Sequence, residues 1–141
     1  MRVESRKEHK FQDVLVDKLR ERGSHVTSFV GSMYIAGQPD IEVVNKNGAI
    51  IKIELKVYRD TILPTSERVI NLLRGPQVNT ITRQLWGRNA PCLLVAEIAY
   101  NPGVLAIVYK TQMTLSHTDD FIRVICCAPL GTCPYLINQT I

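Results

Sequence analysis

The stretch Ala49 to Val57 alternates without a break, with Ile51, Ile53, Leu55 and Val57 on one side and Lys52, Glu54 and Lys56 on the other. A two-residue period of this kind specifies a strand with one apolar face and one polar face. Asn47-Gly48 stands just before it, and Asp40 to Val44 reads as a second strand before that. The two strands therefore form a hairpin, and its register decides which polar groups meet. A two-residue turn at Asn47-Gly48 would set Ile41 opposite Glu54 and send Asp40 to the other face. A three-residue loop, Lys46-Asn47-Gly48, sets Val44 opposite Ile50, Glu42 opposite Lys52 and Asp40 opposite Glu54. Loops of that length commonly end in the left-handed region, which Gly48 enters at no steric cost. The second register is the one expected.

The other elements fall around this hairpin. A helix is predicted over Arg6 to Arg22, with Ser5 and Glu8 as a capping box. Phe11, Val14, Leu15 and Leu19 would form its buried stripe, and Gly23 would end it. His25 to Val30 reads as the first strand, and Gly31 to Gln38 as a loop or bent strand entry. Tyr58 to Thr65 reads as an excursion, followed by a short helical piece capped by Ser66. Gly75-Pro76 opens a second main helix, in which Val78, Ile81, Leu85 and Trp86 would be buried and Gly87 would be the stop. The apolar run Cys92 to Ile98 suits a strand covered on both faces. Val104 to Tyr109 and Phe121 to Cys126 read as further strands. The fold class expected is α/β, a mixed sheet flanked by helices in the order α-β-β-β-α-β. A single domain over residues 1–141 is expected, with a core of about 4–109 and a C-terminal extension at 110–141.

Composition narrows the class without naming a function. Hydrophobic residues make up 45% and charged residues 21%, a globular balance rather than a disordered one. No apolar run is long enough for a membrane span, and the charged N-terminal stretch lacks the apolar core of a signal peptide. A cytoplasmic, soluble protein is the expectation. Seventeen Lys and Arg against thirteen Asp and Glu leave an excess compatible with a polyanionic partner. Cys92, Cys126, Cys127 and Cys133 have neither zinc-ligand nor disulfide-scaffold spacing, so buried reduced thiols are expected.

The chemistry is concentrated in the hairpin. Two carboxylates side by side remain ionised together only with a cation between them. Hard divalent ions accept carboxylate oxygens together with water and phosphate. Lys56 shares the face of Glu54 and could orient a water or stabilise charge developing on phosphorus. His9, His25 and His117 are not clustered, and no nucleophile–histidine arrangement or phosphate-cradling glycine loop is present.

Pro39-Asp40 followed by Glu54-Leu55-Lys56 resembles the PD-(D/E)xK nuclease superfamily. The run Gly37-Gln38-Pro39-Asp40-Ile41 is similar to that of its Holliday-junction resolvase and VRR-NUC branches. Gln38 and the long Tyr58–Leu73 insertion depart from the pattern. The resemblance covers about Glu4 to Ile98 and implies a restriction-endonuclease-like core. It implies Asp40, Glu54 and the Leu55 carbonyl as ligands of Mg²⁺ or Mn²⁺, and Lys56 as the catalytic lysine. Glu8 would complete the metal shell, although its place in a capping box explains it equally. Gln77 would support the site or contact nucleic acid, or only bond backbone amides. Arg74, Arg83 and Arg88 are either a solvated face or phosphate contacts, and Tyr34 either stacks on a base or lines a rim. The implied activity is an endonuclease for branched or structured DNA, DNA being favoured over RNA, acting as a homodimer through the 110–141 extension. Another nuclease mode, or a non-catalytic nucleic-acid-binding protein of the same fold, is the alternative.

Overall fold

The computed structural model describes residues 3–29, 37–110 and 112–127; within these, the side chains of residues 3–9 and of Cys127 are not described. Helix α1, Val3–Glu21, leads into strand β1, His25–Ser28. Strands β2, Ile41–Val44, and β3, Ile50–Tyr58, follow. A short helix α2, Ser66–Ile70, precedes α3, Pro76–Val78, which continues as a π-helical segment over Asn79–Leu85 and a 3₁₀ turn over Trp86–Arg88. Strands β4, Cys92–Ile98, β5, Val104–Tyr109, and β6, Gln112–His117, lead to helix α4, Thr118–Cys127. The six strands form one sheet in sequence order. Only the β3–β4 pair is parallel, so the fold is α/β with a mixed sheet. The long crossover between β3 and β4 carries the helices of one face, as a parallel pair requires.

The alternation of each strand sorts the core into two layers. Ile41, Val43, Ile51, Ile53, Leu55, Val95 and Ile107 meet α1 and α4 on one face. Tyr58, Cys92, Leu94, Ala96 and Val108 meet Val69, Leu73, Ile81 and Trp86 on the other. Glu54 and Lys56 belong by parity to this second face. No helix among the described residues is long and apolar enough to cross a membrane.

The hairpin has the register of the three-residue loop. Val44 pairs with Ile50 and Glu42 with Lys52. The Asn45 amide donates to the Ala49 carbonyl at 2.9 Å, and Gly48 has a φ of +82°. Asn45 is the residue the sequence reading overlooked. It is buried, and its Oδ1 accepts from the amides of Asn47 and Ala49 at 2.9 and 3.0 Å. Its Nδ2 donates to the Ile125 carbonyl on α4 at 3.5 Å, tying the loop to the helix behind it.

Several expectations are corrected. Phe121 to Cys126 is helical, not a strand, and the sixth strand is Gln112–His117. Phe121, Ile122, Ile125 and Cys126 are buried at helical spacing, and Asp119 and Asp120 favour the helix N-terminus. The segment 112–127 is thus part of the sheet and its core. Helix α1 begins at Val3, so Ser5 lies inside it rather than capping it. Glu4, Arg6 and Lys7 are good helix formers and nothing halts the helix at Ser5. Val14 is exposed and Val16 is buried in its place. Gly23 ends α1 as expected: the Ser24 amide reaches Leu19 and the Gly23 amide reaches Arg20, the Schellman pattern. Thr65, not Ser66, caps α2 by accepting from the Arg68 amide. The second main helix stops at left-handed Asn89 rather than at Gly87. Val78 is exposed because the π winding bonds five residues apart, Trp86 to Ile81, and so buries that pair. Tyr34 and the segment 128–141 lie outside the described residues.

Replacing Asn45 by Ala strands two loop amides and removes the bond to α4. A loss of about 1–3 kcal/mol in urea unfolding is expected, with Asn45→Asp recovering part of it through the retained acceptor.

Candidate metal and phosphate site

The β2–β3 ladder ends at Ile41 and Ile53. Continued by one pair beyond its end, that register would set Asp40 opposite Glu54. The Asp40 Oδ2 accepts from the Leu55 amide at 2.9 Å. This bond sits where a ladder bond would otherwise run. On β3, the Lys52 amide and the Tyr58 carbonyl bond toward β4. Alternation then turns the amide and carbonyl of Leu55 away from β4, toward β2. The residue opposite Leu55 in register is Pro39, which has no N–H to give. The proline therefore leaves the Leu55 carbonyl without a ladder donor, while the aspartate takes the Leu55 amide.

Glu54 is 1% exposed, buried beneath the start of α3. Its Oε2 accepts from Gln77 Nε2 at 3.1 Å, and Lys56 Nζ lies 3.8 Å away. The lysine contact is longer than a charge-assisted hydrogen bond, so the pair interacts through charge rather than through a shared proton. The Gln77 Oε1 in turn accepts from the Arg74 amide at 3.0 Å. The Gln77 side chain thus bonds a backbone amide just before α3 and the Glu54 carboxylate at the same time. The field of the buried carboxylate extends to Cys92. Burial pushes the Cys92 thiol up to about 12, with Glu54 adding to the rise and Lys52 opposing it. Cys92 and Cys126 are free and buried.

The loop before Pro39 is fitted to α3. Gly37 has a φ of +85°, and a Cβ there would lie 2.6 Å from Thr80 Oγ1 and 2.9 Å from the Pro76 carbonyl. This glycine answers to both backbone conformation and close approach. It brings the segment carrying Asp40 against the helix start carrying Gln77.

Hard oxygen donors, two carboxylates and one carbonyl, are a set that fits Mg²⁺ or Mn²⁺. Among the described residues no group of three or more His, Cys, Asp or Glu side chains converges. The backbone of Glu8 is in α1, but its side chain lies outside the described residues. Arg74, just before the second main helix, and Arg83 and Arg88 on it are exposed. A separate groove of about 390 Å³ lies on the opposite face of the sheet, lined by Phe11, Val14, Glu97, His117 and Asp119 among others. Burial pushes the Glu97 carboxyl up there, against a Gly103 backbone bond and Lys10. That groove has one carboxylate of β4 and no paired acids on adjoining strands, so it does not share the donor set of the hairpin.

No protein-family model and no curated protein matches the chain. Among solved structures, the chain is similar to Archaeoglobus fulgidus Hjc, described as a Holliday junction resolvase from an archaeal hyperthermophile. The TM-score is 0.44 at 14% identity, over 77% of this chain and 87% of that one.

Gly37→Ala should destabilise the protein by about 1–3 kcal/mol, read by thermal unfolding, because the strained φ adds to the clash. A Thr80→Ala background should recover little, since the Pro76 carbonyl still blocks the Cβ.

Proposed function

We propose that this chain is a metal-dependent nuclease that hydrolyses phosphodiester bonds, most specifically a DNA endonuclease for branched or structured DNA. The reading is supported by Glu54, buried one step beyond the last β2–β3 pair, with the Asp40 carboxylate on the neighbouring Leu55 amide and a Leu55 carbonyl whose ladder partner is a proline. The branched substrate follows from the resemblance of the Gly37–Ile41 run. A buried carboxylate such as Glu54 is a poor device for stability, since desolvation offsets the attraction of its partners. Its burial one step from the Asp40 carboxylate suits a cation.

Asp40, Glu54 and the Leu55 carbonyl would hold Mg²⁺ or Mn²⁺, with Glu8 as a further ligand on α1. Bound there, the cation supplies Lewis-acid polarisation of the phosphodiester and charge neutralisation. Lys56 supplies a second positive charge where the phosphoryl oxygens gain electron density as water adds and the P–O bond breaks. Gln77 is a positioning residue: it fixes the carboxylate plane of Glu54 from the start of α3. Arg74, Arg83 and Arg88 would contact the nucleic-acid backbone. A homodimer, with an interface at 110–141, would supply one site to each of two strands.

Asp40→Asn, Glu54→Gln and Lys56→Ala should each lower Mg²⁺-dependent cleavage by at least about 10²-fold while leaving binding largely intact. The assay is a panel of duplex, flap, four-way junction, single-stranded DNA and RNA. A wild-type protein that cuts none of them with Mg²⁺ or Mn²⁺ overturns the enzyme reading; cleavage confined to RNA overturns the DNA assignment. Sedimentation at micromolar concentration should give a dimer, and a monomer there rejects the two-site arrangement.

A further inference from the structure

We propose that Gln38 is a positioning residue of the candidate metal site: its side-chain carbonyl oxygen accepts a hydrogen bond from the hydration water of a divalent cation held at Asp40 and Glu54. The inference rests on the nuclease reading above and deepens it. It gives a role to the residue at which the Gly37–Ile41 run departs from the resolvase pattern.

The place of Gln38 follows from its neighbours. On one side Gly37 lies against the start of α3, where a Cβ would meet Thr80 Oγ1 at 2.6 Å and the Pro76 carbonyl at 2.9 Å. On the other side Asp40 bonds the Leu55 amide of β3 at 2.9 Å. Two residues of chain span at most about 7 Å, so the Gln38 backbone is held between α3 and β3. Gln77 and Glu54 join the same two elements by a hydrogen bond of 3.1 Å. The Gln38 backbone therefore runs along the edge of the candidate site.

The Gln38 side chain is half-buried, and its Oε1 is shut off from solvent with no hydrogen-bond donor among the described residues. Buried side-chain oxygens almost always have a donor, because losing water without one costs free energy. Pro39, next in the chain, has no N–H to give. The donors that the structure fixes around the site serve other acceptors. The Leu55 amide bonds Asp40, Gln77 Nε2 bonds Glu54 and the Arg74 amide bonds Gln77. Lys56 Nζ faces Glu54 at 3.8 Å.

The donor that this oxygen calls for has a definite chemistry. A phosphodiester carries acceptor oxygens only, so the substrate phosphate cannot supply it. A hydrated cation can: Mg²⁺ dehydrates reluctantly and keeps several waters, and the ion's charge makes their protons strong donors. Groups just outside the ligands that bond in this way orient the shell and raise affinity. Gln38 Oε1 thus weakens the fold slightly in the absence of metal and favours the hydrated ion. A residue kept for packing has the opposite signature.

The test titrates Mn²⁺ into the full-length protein without nucleic acid, following the free-ion electron paramagnetic resonance signal. Thermal unfolding of the same proteins is recorded without metal. Gln38→Met keeps the length of the side chain and removes the oxygen. It should weaken Mn²⁺ binding by about 10-fold or more. Its melting temperature should equal or exceed that of the wild type, because an acceptor without a donor is removed and no bond is broken. Gln38→Glu retains an acceptor and should bind Mn²⁺ at least as tightly as the wild type. A Gln38→Met protein that melts well below the wild type, or does not fold, shows a structural role and overturns the inference. So does Mn²⁺ binding by Gln38→Met equal to that of the wild type, or Gln38→Glu as weak as Gln38→Met. A wild-type protein that binds Mn²⁺ in those cases keeps the metal reading; one that binds no Mn²⁺ loses both.

Discussion

The loop from Asn45 to Ala49 governs the direction of every side chain on β2 and β3. A slip of one residue would turn Asp40 away from Glu54 and carry Ile41 and Val43 out of the core. Two features oppose that slip. The apolar set of each strand is fully buried under α1, and Asn45 closes the loop from inside while bonding α4. The burial of the core and the face to which Glu54 turns are therefore set by the same constraint. No mutation can move the register without losing both.

Beyond the last ladder pair, local rules are broken in a consistent way. Pro39 withholds an amide, Asp40 takes the place of a backbone acceptor, and the acidic side chain of Glu54 is buried. Each is unfavourable or neutral for folding alone. Together they leave a carbonyl and two carboxylates at the point where β2 parts from β3. Gly37 and Gln77 bring α3 down on this point from the other side, so the site is closed by elements far apart in sequence. Conflicts between local preference and structure gathered at one place are what a functional site looks like in an otherwise consistent fold.

Much of this was legible in the sequence, because period-two alternation and turn chemistry act locally. The three central strands, the Gly23 stop, the Pro76 start and the hairpin register all rest on such signals. What was missed depends on tertiary contacts. Phe121 to Cys126 is rich in β-branched and apolar residues, and only burial against α1 and the sheet distinguishes a helix from a strand there. The π winding over Asn79–Leu85, next to which Val78 is exposed, has no local signature, although the burial of Ile81 and Trp86 was legible. Asn45 looked like an ordinary loop residue, since its burial comes from α4, some eighty residues away.

The central claim is that Asp40 and Glu54 hold one divalent cation between them. Titration of Mn²⁺ into the protein, followed by the loss of the free-ion electron paramagnetic resonance signal, measures this without any substrate. The account predicts one site per chain in the wild-type protein. It predicts that site to be lost in both Asp40→Asn and Glu54→Gln, and weakened in Pro39→Ala, where a restored amide can compete for the Leu55 carbonyl. Equal Mn²⁺ binding by the wild-type protein and both carboxylate variants would contradict it.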